Sequence, residues 1–128
     1  MSELPGVKVL VVDDDLAALE AMDALFNVLG ASVQTANNVD DAMKIVETFR
    51  PDVIISDISM PDQDGHQFIR RVRVRSAAWG GLTPAIALSG RAQSHDQARA
   101  LLAGFQHHLR KPVTAEQLVR VVRSVLPG

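Results

Sequence analysis

Val7-Lys8-Val9-Leu10-Val11-Val12-Asp13-Asp14-Asp15 and Val53-Ile54-Ile55-Ser56-Asp57 decide the fold of this chain. Each is an aliphatic run that stops abruptly in acid. Apolar runs of this length between polar segments read as parallel strands buried on both faces. Carboxylates at the tips of two such strands would meet at one edge of one sheet, where open α/β sheets place their ligands. Like charges crowded there repel, and each wants a proton or a cation. A divalent ion such as Mg2+ meets that demand, together with something the metal can hold.

The pattern continues outward from these two strands. Leu16, Leu19, Met22, Phe26 and Leu29 recur at three- and four-residue steps and predict a helix face that Gly30 ends. Ser32–Ala36 reads as a second strand. Asn38 can cap a helix with Ala42, Ile45, Val46 and Phe49 inward, stopped by Pro51. A helix from about His66 carries Phe68, Ile69 and Val72 inward. After a turn-rich connector over Ala77–Thr83, Pro84–Ser89 reads as a fourth strand. Ser94 with Gln97 is a capping box opening a helix through Ala98, Leu101 and Leu102 to Gly104. His107–Arg110 is a short fifth strand, and a second capping box, Thr114 with Gln117, precedes Leu118, Val121, Val122 and Val125. Strand then helix, five times over, predicts a parallel five-stranded sheet covered on both faces.

The 128 residues form one domain, with a folded core over about 7–126, and the 47% hydrophobic and 22% charged composition is that of a globular protein. A net charge of -2 argues against nonspecific nucleic-acid or membrane binding. The absence of Cys removes disulfides, thiol catalysis and Cys-based zinc sites. No apolar stretch is long enough to span a membrane, and the start lacks the features of a signal peptide, so the expected location is the cytoplasm.

The strand tips collect Asp13 and Asp14, Asp57, Ser89, and Lys111 with Pro112. Two carboxylates and a backbone carbonyl suit an octahedral Mg2+ that keeps several waters. A further carboxylate oxygen beside the metal can act as a nucleophile on phosphorus. Mg2+, an ammonium and a hydroxyl are what a transferring phosphoryl group needs around its equatorial oxygens.

In Val11-Val12-Asp13-Asp14-Asp15, Asp57-Ile58-Ser59-Met60-Pro61-Asp62-Gln63-Asp64-Gly65, Ala87-Leu88-Ser89-Gly90 and Arg110-Lys111-Pro112, in this order, the chain resembles the receiver domains of two-component response regulators. The resemblance covers essentially the full length and implies a flavodoxin-like (βα)5 fold with strand order 2-1-3-4-5. It implies Asp57 as phosphoacceptor, and Mg2+, with Mn2+ able to substitute, on Asp14, on Asp13 through water, on Asp57 and on the Ser59 carbonyl. It also implies Lys111 and Ser89 as partners of the phosphoryl oxygens, a cis peptide before Pro112, and Gly90 as a small residue leaving the pocket open. The implied partners are a sensor histidine kinase or a His-containing phosphotransfer domain. A weak homodimer through the last strand and its flanking helices is compatible with the sequence.

Two positions depart from the family. His108 stands where many receivers carry Tyr or Phe, as in receivers fused to hybrid histidine kinases, which relay phosphoryl groups. Arg91, two residues beyond Ser89, is long and cationic enough to lie over the phosphoryl group and modulate its hydrolysis.

Other readings fare less well. Asp15 is better placed as a helix cap than as a third ligand. Asp62–Gly65 fails the register of a calcium loop, which would put Met60 and Arg71 at ligand positions. His107 and His108 face opposite ways on a strand and do not make a metal site. Arg70, Arg71, Arg73 and Arg75 read as a solvated helix face. A Mg2+-dependent phosphatase with an Asp nucleophile wants a second acid two residues on, where Ser59 stands. A phosphorylation-silent interaction module would have no need of the crowded charge.

Overall fold

The computed structural model describes residues 3–58, 65–90 and 94–127, with backbone alone for 65 and 94–97. The elements run β1 (Lys8–Val12), α1 (Leu16–Val28), β2 (Ser32–Ala36), α2 (Val39–Thr48), β3 (Val53–Asp57) and α3 (Gly65–Arg73). A 3-10 turn over Ala77–Trp79 leads to β4 (Ala85–Ser89), α4 (Ser94–Ala103), β5 (His107–Arg110) and α5 (Ala115–Val125). All neighbouring strands are parallel, in the order β2-β1-β3-β4-β5, as the family resemblance implied. Among the described residues, no helix is long and apolar enough to cross a membrane.

The central strands are apolar at successive positions because they feed two cores. Leu10, Val12, Ile54, Ala85 and Ala87 face α2, α3 and α4, packing on residues such as Val46, Phe68 and Ile69. Val9, Val11, Val53, Ile55, Ile86 and Leu88 face α1 and α5, against Leu19, Phe26, Leu118 and Val122. With side chains alternating along each strand, a strand buried on both faces carries no polar stripe. The second core reaches back to Leu4, which is buried and donates its N–H to the Leu29 carbonyl at 2.9 Å.

The helix boundaries follow their caps. Asp15 Oδ1 accepts from the Ala17 N–H, Asn38 accepts from the Asp41 N–H, and Thr114 with Gln117 forms a complete capping box. Past α1, Gly30 takes a left-handed φ of 86°. After α2, Arg50 fills the equivalent role with φ 52°, its guanidinium 4.7 Å over the Trp79 ring and bonded to the Ala78 carbonyl. The capping box expected at Ser94 and Gln97 lies outside the described side chains.

Three helix-face expectations need correction. Leu16 is 61% exposed, because the first residue of α1 leans back over the strand tip rather than onto the sheet. In α4 the buried positions are Ala100 and Ala103, while Ala98 and Leu101 are exposed and Leu102 is 88% exposed. Apolar residues at five of the six positions 98–103 leave the period ambiguous, and small alanines allow the closer approach to the sheet. In α2, Met43 joins the buried face, while Ile45 and Phe49 are only half-buried.

Arg73 corrects the reading of the arginine run. It is half-buried, and its guanidinium donates to the carbonyls of Gly81 (3.1 Å), Thr83 (2.6 Å) and Gly104 (3.0 Å) and to Gln106 Oε1 (3.2 Å). It ties the end of α3 to the β4 and β5 approaches, and burial lowers its pKa. Arg71 and Arg75 instead pair with Asp40 and Glu47 on α2.

Candidate functional site

Register brings the acids together. Val11 pairs with Ile55 and Val12 with Ser56, so the next step of the ladder sets Asp13 beside Asp57. Asp57 in turn pairs with Leu88, which puts Ser89 one residue beyond, and the Lys111 N–H bonds the Ser89 carbonyl at 2.8 Å. Sequence-distant residues therefore converge because four strands end at one level.

Asp13, Asp14 and Asp57 each offer a carboxylate oxygen within 4.8 Å of the others. Asp13 and Asp57 are buried, and Asp14 is exposed at the rim. At that separation the buried pair of Asp13 and Asp57 costs about 3 kcal/mol at an effective dielectric of 20, and pairs with the exposed Asp14 cost less because water screens them. Lys111 offsets part of the repulsion: its Nζ lies 3.1 Å from Asp13 Oδ2 and 3.7 Å from Asp57 Oδ2. Burial acts to lower the Lys111 pKa, but the hydrogen bond to Asp13 and the charges of Asp57, Asp13 and Asp15 outweigh it and raise the pKa. The other Asp13 oxygen accepts the Asp15 N–H at 3.0 Å, so its carboxylate is held from both sides.

This donor set suits a small hard cation. All three groups are oxygen donors within 4.8 Å of one another, the hard donor type that Mg2+ takes. Directly bound oxygens from all three, or one of them through water, fit the spread.

Ser89 is 1% exposed, and its Oγ lies 2.7 Å from His108 Nε2. Among the described residues, a Cβ built on Gly90 would meet nothing within 4 Å, so they leave space open beside Ser89. The Lys111-Pro112 peptide is cis. His107 turns the other way, toward Ser124 on α5, as expected for adjacent strand residues. Ser59 and Arg91, both expected at this site, lie outside the described residues, as does the loop of the rejected calcium reading up to Asp64. The His108–Ser89 contact had no signal in the sequence beyond the unusual His itself. A groove of about 450 Å³ opens between α1 and the segment from Lys111 to Val113, with Asp13 in its wall.

A family model described as the response regulator receiver domain matches residues 9–123. An "Uncharacterized 14.6 kDa protein in sodA1 3'region" of Leptolyngbya boryana is 37% identical over 124 residues, covering 97% of this chain and 93% of that one. The structure is similar to chemotaxis protein CheY4 of Vibrio cholerae, with TM-score 0.86 and 29% identity over 94% of this chain and 99% of that one. It is also similar to the receiver domain of sensor histidine kinase PA1611 from Pseudomonas aeruginosa, solved with a magnesium ion coordinated in the active-site cleft. That comparison gives TM-score 0.83 and 28% identity over 93% of this chain and 96% of that one. With the strand order, the acidic cluster and a family match across both sheet and helices, the chain belongs to the response regulator receiver domains of two-component signal transduction.

Proposed function

We propose that Asp57 is the residue that accepts the phosphoryl group, from the phosphohistidine of a sensor histidine kinase or a His-containing phosphotransfer domain. The observation that carries this is the convergence of Asp57 with two further carboxylates and the Lys111 ammonium at the strand tips. An Asp57 carboxylate oxygen attacks phosphorus, a C–O–P bond forms, and the P–N bond breaks with its electron pair going to the imidazole. Bound on Asp13, Asp14 and Asp57, with the Ser59 carbonyl as a further ligand, Mg2+ would supply charge stabilisation for the transferring group. Mn2+ presents the same hard coordination.

Lys111 sits where it can follow charge from the carboxylate onto the phosphoryl oxygens, being 3.7 Å from Asp57 Oδ2 already. Ser89 offers a hydroxyl from the next strand, and Gly90 leaves the space in which the group would stand. Hydrolysis of the acyl phosphate is slow in this scheme, since the sequence carries Ser59 rather than an acid two residues beyond Asp57. The likeness to a receiver domain of a sensor histidine kinase, together with His108, favours a relay role over a shape-change output. We place the domain in the cytoplasm, beside the kinases that would charge it.

Incubation with acetyl phosphate and Mg2+, followed by intact mass measurement, tests the proposal. One added phosphoryl group is expected, lost in Asp57→Asn. No adduct, or many turnovers of released phosphate with little adduct, would overturn it.

A further inference from the structure

We infer that His108 is a latch on Ser89: the imidazole holds the Ser89 hydroxyl in the resting protein and must release it before that hydroxyl can serve a phosphoryl group on Asp57. The inference rests on the receiver reading above and adds to it a residue that sets how readily the site is charged.

The geometry begins in the sheet. His108 pairs in register with Ala87, so both side chains leave the sheet on one face, and Ser89, two residues along, leaves it on the same face. The contact is a short one, Oγ to Nε2 at 2.7 Å, in a place where Ser89 is almost completely removed from water. N–H donors to oxygen centre near 2.9–3.0 Å, whereas hydroxyl donors work at 2.7–2.8 Å. The contact at 2.7 Å suits a hydroxyl donor, and the latch takes that direction, with the ring proton on Nδ1.

A hydroxyl has one proton to give. While His108 Nε2 takes it, an anionic oxygen nearby receives only the lone pairs of Ser89, which repel it. A phosphoryl group on Asp57 is a charged acceptor and competes well for the proton. Its gain is reduced by the neutral hydrogen bond that must first break. The usual worth of such a bond corresponds to about a fivefold bias in the equilibrium toward the unphosphorylated state. Release leaves the His108 ring without that partner, so the same contact that biases charging also senses it. A Phe or Tyr ring at this position presents no ring nitrogen to hold the serine, which is why His here has a consequence of its own.

The test is a double-mutant cycle on the intact chain with acetyl phosphate and Mg2+, reading the ratio of phosphorylated to unphosphorylated protein by mass. His108→Ala should raise the ratio about fivefold when Ser89 is present and leave it unchanged in the Ser89→Ala background. His108→Gln, which keeps an acceptor, should stay close to wild type. Equal ratios for wild type and His108→Ala, or the same change in both backgrounds, overturn the latch alone. No adduct on wild-type Asp57 overturns the receiver reading and the latch with it. Nitrogen chemical shifts of the His108 ring in the wild-type protein give a check free of any variant. The Nδ1–H tautomer is expected, and the Nε2–H tautomer would refute the latch.

Discussion

Replacing Asp57 by Asn should make the metal-free protein more stable, although it removes the proposed phosphoacceptor. The change is nearly isosteric, so packing is kept and the charge alone is lost. Asp57 lies within 4.8 Å of carboxylate oxygens of both Asp13 and Asp14, and repulsion from the buried Asp13 is about 3 kcal/mol at an effective dielectric of 20. The exposed Asp14 adds nearer 1 kcal/mol, because water screens it. Against these stands the attraction of Lys111 at 3.7 Å, about 4 kcal/mol on the same scale. Those contributions nearly cancel, and the desolvation cost of a buried carboxylate, several kcal/mol in real proteins, is what the amide avoids. Allowing for the amide's own hydrogen-bonding needs, the expected gain is about 2 kcal/mol. Urea unfolding of both proteins in EDTA measures it. Added Mg2+ should then stabilise the wild type more than the variant and close the gap. An Asn variant that is less stable than wild type in EDTA would refute the claim that the desolvation cost of the buried Asp57 carboxylate dominates the metal-free site.

Lys111 has a raised pKa in the folded protein, so its contribution to stability is complete below its ordinary value of 10.5 and is lost as pH climbs through the folded value. An NMR titration should place the Lys111 midpoint above 10.5 in wild type and lower in Asp13→Asn; no change between the two would break the assignment. Arg73→Ala should cost about 3 kcal/mol in urea unfolding, since several half-buried carbonyls lose their donor, and Arg73→Lys should recover little of it because an ammonium cannot span the fork. Arg91→Ala should change the rate of acyl-phosphate loss; identical decay curves would remove Arg91 from the site.

The fold was legible where chemistry repeats at a fixed period. β2, β3 and β5 match their expected residues, and β1 and β4 begin one residue later than expected. The paired cores explain why Val9–Val12 and Val53–Ile55 show no polar alternation. Legibility failed where both faces of a helix carry apolar residues, as at Leu101 and Leu102, and where a helix start overhangs the sheet, as at Leu16. Arg73 was read as solvated because a charged side chain reveals its partners only when the Gly81 and Gly104 carbonyls are brought to it. At the site, Asp13, Asp14, Asp57, Ser89 and Lys111 could be gathered from strand order, since strand tips share an edge. The His108–Ser89 bond could not, because it depends on side-chain reach across β4 and β5 rather than on any spacing.

A crystal structure grown with Mg2+ and beryllofluoride, a tetrahedral mimic of a phosphoryl group, tests the central claim most directly. The account predicts beryllofluoride bonded to an Asp57 carboxylate oxygen, Lys111 Nζ and Ser89 Oγ in hydrogen-bond contact with its fluorides, and a cation held by Asp13 and Asp14. Beryllofluoride on a different carboxylate, or an Asp57 left unmodified beside a bound Mg2+, would contradict it.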